Sequence, residues 1–286
     1  MENLVLIGVG LIGGSLALDL KQTNQISTVT GIDIDQSNLD CALARGIIDQ
    51  GYCHIDEASI AQADVIIIAT PVTTLPQICR QIAEYIRPDT IISDVGSTKR
   101  LALAAFATEL PKHYAYCVAA HPIAGSDRYG AQAAQTGLFA QKKCIICPHE
   151  GQNKQALAKI ESMWASVGAK VSALSASQHD YLLAAVSHLP HMLAYAYMHQ
   201  LAEYPDINDL LNFAGSGFND FSRIAGSQSQ VWTDICLANR DTLLSMLQQQ
   251  QQTLQILQQY LEQENRAGLQ TFFETAQAAR ENWSNC

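Results

Sequence analysis

The chain carries little charge and no concentration of base. Lys and Arg number 17 against 27 Asp and Glu, a formal net charge of −10, and no block of like charges occurs. Nucleic acids and anionic membranes both recruit basic patches, so neither is an expected partner. A small anionic substrate is still allowed, because a few local arginines can overcome a modest global field. Long apolar runs are missing as well. The longest, Val65-Ile66-Ile67-Ile68-Ala69, falls far short of the ~20 residues that span a bilayer and suits a buried parallel strand. The N-terminus runs directly into Leu4-Val5-Leu6-Ile7 without a basic region or a small-residue cleavage site, so no secretory leader is expected. The eight cysteines follow no framework spacing, which fits reduced thiols in a cytoplasm. Cys144 and Cys147 form a C-x-x-C within an apolar, strand-like run. Residues three apart on a strand point to opposite faces, so two strand cysteines are expected there and no metal or redox site.

What is present is core. With 286 residues, 48% of them hydrophobic, the chain can build two packed domains or one large one. Short apolar runs alternate with helical patterns to about residue 150. Strands are expected over 3–9, 28–33, 65–69, 91–94, 117–120 and 143–148, with another near 169–173. Helices are expected between them, notably over 10–21, 73–86 and 99–109. Such alternation implies an α/β fold, a parallel, doubly wound sheet with helices on both faces. After Ser175 the strand signal ends. Residues 177–201 read as one long helix with Pro190 as a kink, and 240–263 as another. On the second, Leu243, Leu247, Leu254, Leu257 and Leu261 take heptad-like spacing, with Gln250 at the missing position. That stripe suits either a dimer interface or an ordinary core within the chain. The expected organisation is a Rossmann-type domain over 1–174 and an all-helical substrate and dimerisation domain over 175–286, with a homodimer built through the C-terminal helices.

The first motif is Gly8-Val9-Gly10-Leu11-Ile12-Gly13. It follows an expected strand and opens an expected helix, the context that lifts G-x-G-x-x-G above coincidence. Gly8 permits the tight turn. Gly10 lets the backbone approach a pyrophosphate, which rests on the helix N-terminus with Leu11 and Ile12 in its first turn. Gly13 lets helix and strand pack closely. The second strand ends in Asp33, twenty residues after Gly13. A carboxylate there accepts hydrogen bonds from ribose hydroxyls and repels a 2′-phosphate, so NAD is the expected cofactor. Asp35 is a rival lying past the strand end. Ala69-Thr70-Pro71 follows the 65–69 strand and either flanks the cofactor or is a plain turn.

Four further motifs follow in order. Asp94-Val95-Gly96-Ser97-Thr98-Lys99 and His121-Pro122-Ile123-Ala124-Gly125-Ser126 each follow a strand, where ligands of open α/β sheets bind. Ser187-His188-Leu189-Pro190-His191 lies on the long helix. The last is Gly215-Ser216-Gly217-Phe218-Asn219-Asp220-Phe221-Ser222-Arg223-Ile224-Ala225. Singly, each has a structural explanation: a lone histidine is more often hydrogen-bonded scaffold, a lone arginine a surface charge. In series, after a dinucleotide fingerprint, they make nearly the whole chain resemble the prephenate and arogenate dehydrogenases of tyrosine biosynthesis.

That resemblance implies an NAD-dependent oxidative decarboxylation of prephenate, of arogenate, or of both. It implies that His121 meets the substrate 4-hydroxyl and that Ser97 orients substrate and nicotinamide. Arg223 would hold a substrate carboxylate, with His188, His191, Ser126, Asp127 and Trp232 around the substrate. Relatives often carry F-R-D where this chain has Phe218-Asn219-Asp220, which weakens Asn219 as a functional position. No fused mutase or regulatory segment is expected. Two other readings stand beside it. A β-hydroxyacid dehydrogenase would use a lysine on the helical domain, and no lysine follows Lys170. A non-catalytic NAD-binding regulator would not need Ser97, His121 and Arg223 to converge.

Overall fold

The computed structural model describes residues 3–126 and 128–284. Its strands are β1 (Asn3–Ile7), β2 (Thr28–Ile32), β3 (Gln50–Tyr52), β4 (Val65–Ile68), β5 (Ile91–Asp94), β6 (Cys117–Pro122), β7 (Lys143–Cys147) and β8 (Lys170–Ala173). They form one sheet in the order β3-β2-β1-β4-β5-β6-β7-β8. Period-2 alternation sorts the side chains onto two faces. Leu4, Leu6, Val65 and Ile67 join one apolar cluster, and Val5, Ile7, Ile66 and Ile68 the other. Cys144 and Cys147 are divided in the same way, one in each cluster.

Helices α1 (Leu11–Gln22), α2 (Gln36–Ala44), α3 (Glu57–Ile60), α4 (Leu75–Ile82), α5 (Lys99–Glu109) and α6 (Lys154–Ser166) accompany the strands. On α4 the buried residues are Leu75, Ile78, Cys79 and Ile82, the one-face spacing of an amphipathic helix. A 3-10 turn at Val72–Thr74 precedes it, so the expected 73–86 helix is shorter at both ends. The strand β3 has no apolar run to announce it: it is a three-residue edge strand with two exposed positions.

The sheet departs from all-parallel pairing at one place, since β7 runs antiparallel to β6. A parallel return needs a crossover element, usually a helix. Among the described residues the link between these strands contains a 3-10 turn, Ala131–Ala133, and no other helical element. It packs instead beside α1, where Ser15 Oγ accepts from Gln135 N–H at 2.9 Å and Asp19 Oδ1 from Gly137 N–H at 2.8 Å.

Beyond β8 the chain is helical. A capping box of Ser175 and Gln178 starts α7 (Ala176–Leu183). It passes through a π-helical turn, Ala184–His188, into α8 (Leu189–Ala202). The expected kink at Pro190 takes this form. Leu189 N–H bonds back to Ala184 O, a five-residue step, and Pro190 has no N–H to offer the ordinary ladder. Helices α9 (Ile207–Asn212), α10 (Ser216–Ser222) and α11 (Ser229–Ala238) follow, with a 3-10 turn at Arg223–Gly226 between the last two.

By compactness the chain divides into residues 1–239 and 240–286. In the second unit α12 (Arg240–Glu262) and α13 (Arg266–Ser284) form a hairpin. Its turn is closed by Asn265 N–H on Tyr260 O at 2.8 Å and by Gly268 N–H on Asn265 Oδ1 at 2.9 Å. The leucine stripe is divided there: Leu257 is half-buried, whereas Leu254 and Leu261 are exposed.

Candidate active site

Strand order reverses between β1 and β4, the topological position at which open α/β sheets bind ligands. A cleft of about 840 Å³ lies there, within the range of small-molecule and cofactor sites. It is lined by Gly8, Gly10, Asp33, Thr70 and Pro71 among others. Gly8 holds φ +90°, and a Cβ on it would stand 2.7 Å from Ala69 O. A Cβ on Gly13 would stand 2.6 Å from Leu6 Cδ1, so Gly13 sets the closeness of α1 to β1. A Cβ on Gly10 would meet no protein atom within 4 Å, and Gly10 lines the cleft. Its backbone is therefore open to close approach by a ligand. No side chain caps α1, whose N-cap is Gly10 itself, and an uncapped helix N-terminus favours an anion such as a pyrophosphate. Leu11 is buried and Ile12 packs against the core; only their backbone N–H groups are in question as ligand contacts.

At the end of β2, Asp33 Oδ2 accepts from Val9 N–H at 3.0 Å and from Asn38 Nδ2 at 2.9 Å, and its Oδ1 from Asp35 N–H at 3.1 Å. These bonds fix the carboxylate at the cleft wall and leave it acceptor capacity. Asp35 is engaged elsewhere. It caps α2, accepting from Ser37 Oγ at 2.7 Å and Ser37 N–H at 2.9 Å, and those bonds hold its carboxyl below the ordinary range. Thr70 Oγ1 shares a 2.8 Å hydrogen bond with Thr74 Oγ1, which stiffens the turn after β4. The glycines, the uncapped helix and the fixed acid together fit a dinucleotide.

The second group of residues stands at the C-terminal ends of β5 and β6. Asp94 and Lys99, the first and last residues of D-x-x-S-x-K, form a fully buried ion pair at 2.5 Å. Lys99 Nζ also donates to Ala120 O at 2.5 Å, and Asp94 Oδ1 accepts from Ala120 N–H at 3.3 Å. The pair thus stitches β5 to β6 at the residue before His121. Burial pushes the Asp94 carboxyl up, with Lys99 opposing. Ser97 lies half-buried in the loop between β5 and α5.

His121 is buried at the end of β6, and its Nδ1 lies 2.8 Å from His179 Nε2. His179 Nδ1 in turn lies 2.8 Å from Asp180 Oδ1. Asp180 accepts from Lys99 N–H at 2.7 Å, from Arg100 N–H at 3.0 Å and from Arg100 Nε at 3.2 Å. It is therefore the cap of α5, supplied from α7. Burial alone would raise its carboxyl, but the bonds from His179, Lys99 and Arg100 hold it below the usual range. Burial, the neighbouring His179, the Lys99 charge and His188 push His121 well below an ordinary imidazole, so the ring is neutral.

His188, in the π turn, is buried, and burial lowers it to about 4. Its Nδ1 lies 3.3 Å from Asn239 Nδ2. His191 stacks on Trp232 at 3.6 Å between ring centroids, with its Nδ1 2.8 Å from Ser187 O. Arg223 opens the 3-10 turn after α10 and is exposed. Its charge is felt at His191, and it forms no salt bridge among the described residues. Ser126 is exposed in the loop after β6, where its Oγ accepts from Arg128 N–H at 3.2 Å. Asp127 lies outside the described residues. Asn219 is exposed on α10.

Sequence reasoning missed His179, Asp180, Asn239 and Asn38. Asn38 bridges Asp33 and Val9 O, and its Oδ1 accepts from Ala131 N–H at 2.7 Å. A His-Asp pair at the fourth and fifth residues of α7 was the one available signal.

The comparisons with known proteins agree along the chain. A family model described as the nucleotide-binding domain of prephenate dehydrogenase matches residues 16–173. One described as the prephenate dehydrogenase dimerization domain matches residues 175–275. The prephenate dehydrogenase of Bacillus subtilis (strain 168) is 33% identical over 282 residues, 98% of this chain and 76% of that protein. A crystal structure of prephenate dehydrogenase from A. aeolicus, in complex with hydroxyphenyl propionate and NAD+, superposes with a TM-score of 0.90. It is 30% identical, covering 99% of this chain and 98% of the other. Synechocystis arogenate dehydrogenase superposes with a TM-score of 0.79 at 27% identity, covering 98% and 99%.

Replacing Asp33 tests the cleft. Asp33→Ser removes the carboxylate that would accept from ribose hydroxyls and repel a 2′-phosphate. NAD affinity is expected to fall by roughly tenfold or more, while use of NADP improves. Titration of both dinucleotides reads this out, and equal NADP use by the unsubstituted protein would contradict it.

Proposed function

The chain belongs to the prephenate dehydrogenase family, and from that premise we infer an NAD-dependent oxidoreductase of tyrosine biosynthesis. It converts prephenate to 4-hydroxyphenylpyruvate with formation of NADH and release of CO2. The observation that carries the reading for this chain is His121: buried, neutral and anchored through one ring nitrogen at the end of β6.

The substrate needs three things from the protein. Its C4 hydrogen must face an acceptor, its 4-hydroxyl proton must be taken, and its carboxylates must be held. NAD, when bound, supplies the hydride acceptor. The α1 N-terminus and the open backbone at Gly10 would hold its pyrophosphate, with Gly8 and Gly13 shaping the turn and the helix packing; Asp33 would hold a ribose, and Thr70 and Pro71 wall the cleft. His121 takes the hydroxyl proton as C4 becomes a carbonyl carbon, a task suited to a neutral imidazole. Loss of the ring carboxylate as CO2 then makes the ring aromatic. Arg223, whose planar fork suits a carboxylate, anchors the substrate beside His191 and Trp232. His188 lies on the same helical wall, and Ser97 orients the reacting groups. Ser126 completes the substrate side, and the resemblance adds Asp127 as a candidate substrate residue.

Prephenate and arogenate differ by a keto group against an amine on the side chain. Prephenate is the proposed substrate, and comparing kcat/KM for the two decides the choice. The working form is proposed to be a homodimer through the C-terminal helices. The dimerization-domain match supports this, as do the exposed Leu254, Ile256, Leu261 and Phe273 on the helical hairpin. No helix among the described residues is long and apolar enough to cross a membrane, and the proposed location is the cytoplasm.

NADH formation from prephenate and NAD tests the reading. His121→Asn is expected to lower kcat by about 10²–10⁴-fold, the usual worth of a positioned base, with NAD affinity unchanged. Near-intact turnover would make His121 scaffold.

Arg223→Ala separates binding from architecture. Truncating one member of a partly desolvated carboxylate pair costs roughly 2–5 kcal/mol, so KM for prephenate should rise at least about 30-fold, with little change in Tm. Arg223→Lys should restore only part of the loss. A lowered Tm with an unchanged KM would remove Arg223 from the site.

A further inference from the structure

The hydrogen bonds behind the two buried histidines determine which of their nitrogens carry protons. The starting point is Asp180. Ionised, it is acceptor-only, so His179 Nδ1, 2.8 Å from Oδ1, must be the donor. A neutral His179 is then bare at Nε2. His121 Nδ1, 2.8 Å from that atom, must donate to it. A neutral His121 is consequently bare at its own Nε2. The second chain starts at Asn239, which is fully buried. Arg100 Nη2 donates to its Oδ1 at 2.9 Å, which fixes the orientation of the amide. Asn239 Nδ2 donates to Asp180 O at 2.8 Å. Its remaining hydrogen faces His188 Nδ1 at 3.3 Å, which must accept. A neutral His188 therefore carries its proton on Nε2. Neither Nε2 bonds to protein among the described residues, and neither is among the buried polar atoms left without a partner. Both are thus available to a ligand.

We propose that His179, Asp180 and Asn239 are positioning residues that set opposite tautomers in the two histidines, His121 as a proton acceptor and His188 as a hydrogen-bond donor at Nε2. Built on His121 as the base, this explains how two similar rings are kept from exchanging roles. When the substrate hydroxyl proton moves to His121 Nε2, the O–H bond pair becomes the C4 carbonyl bond and the C4 hydride passes with its electron pair to the dinucleotide that the cleft would hold. The positive charge formed on the ring is met through Nδ1–H, His179 and the Asp180 carboxylate. The ring carboxylate then departs as CO2, its bond pair completing the aromatic ring. The charged groups facing this chain are Lys99 and Arg100 on α5 and Asp94 on β5. Lys99 is paired with Asp94 while its charge still reaches His121, and Arg100 is paired with Asp180. Asp180 also caps α5 immediately after Ser97, so the position of that loop and the tautomer of the base depend on one carboxylate.

The test needs no substitution to begin with. In the unsubstituted protein with NAD bound and 15N-labelled histidine, two-bond 1H–15N correlations read each ring's tautomer. His121→Asn and His188→Asn identify the signals by their loss. The expected result is a proton on Nδ1 of His121 and on Nε2 of His188; a proton on His121 Nε2, or the same tautomer in both rings, overturns the proposal. His179→Gln then tests the consequence. Outer partners of metal-bound histidines are worth about 10–100-fold; by analogy kcat should fall by about that factor, with KM for NAD unchanged and the His121 signals showing mixed tautomers. Wild-type kcat with an unaltered His121 tautomer in His179→Gln also overturns it. If His121→Asn itself keeps turnover, the base assignment fails, whereas the tautomer measurement still judges the network.

Discussion

A carboxylate buried away from water must be met by donors or it destabilises the fold around it. Asp180 is met by four: the backbone N–H groups of Lys99 and Arg100, the Arg100 side chain and His179. Much of the site follows from this. The carboxylate comes from the first helix after the sheet, yet it caps the helix that follows Ser97. Through His179 it reaches the ring at the end of β6. The backbone carbonyl of the same residue is held by Asn239, the last residue of the larger unit. Strands β5 and β6, helix α5 and the helical segment after Ser175 are therefore tied together at one buried charge.

The two halves of the site use different physics. The cofactor half is built by omission: absent Cβ atoms let the chain turn tightly at Gly8 and α1 pack on β1 at Gly13, while the open backbone at Gly10 and an uncapped helix N-terminus leave room for a diphosphate. The reacting half is built by saturation. Asp94, Lys99, His179, Asp180 and Asn239 are each hydrogen-bonded around His121, and its neutrality comes from burial beside His179 and the charge of Lys99. A neutral, oriented imidazole is what proton abstraction from an alcohol requires. The lysine a β-hydroxyacid dehydrogenase would use has no counterpart after Lys170, and Lys99 is sealed in an ion pair.

Sequence reasoning reached the α/β architecture because the strands are apolar, bounded by turn residues and separated by helical spacing. It also found the elements carrying Gly8, Asp33, Thr70, Ser97 and His121, since each follows a strand end. It missed β3, a polar edge strand with no periodic signal. It also missed the reversal of β7, which depends on a connection that docks on α1 rather than crossing the sheet. Pro190 announced a disturbance in the long helix but not its form as a π turn. His179, Asp180 and Asn239 were invisible for a physical reason. Their significance lies in partners 58, 81 and 139 residues away, and adjacent residues on a helix bear no pattern that reveals such partners. Arg223 came from motif order alone, and the structure adds its exposure and its field at His191.

The most direct measurement is the pH dependence of kcat/KM for prephenate, taken with saturating NAD. A base must be unprotonated to act, and burial with the nearby charge of Lys99 lowers His121 far below the ordinary imidazole value of about 6.5. Rate is lost as pH falls through the lowered value, so the acid limb should lie well below pH 6.5, with a level profile across neutrality. An acid limb at or above pH 6.5 that persists in His121→Asn would contradict a buried, neutral His121 as the proton acceptor.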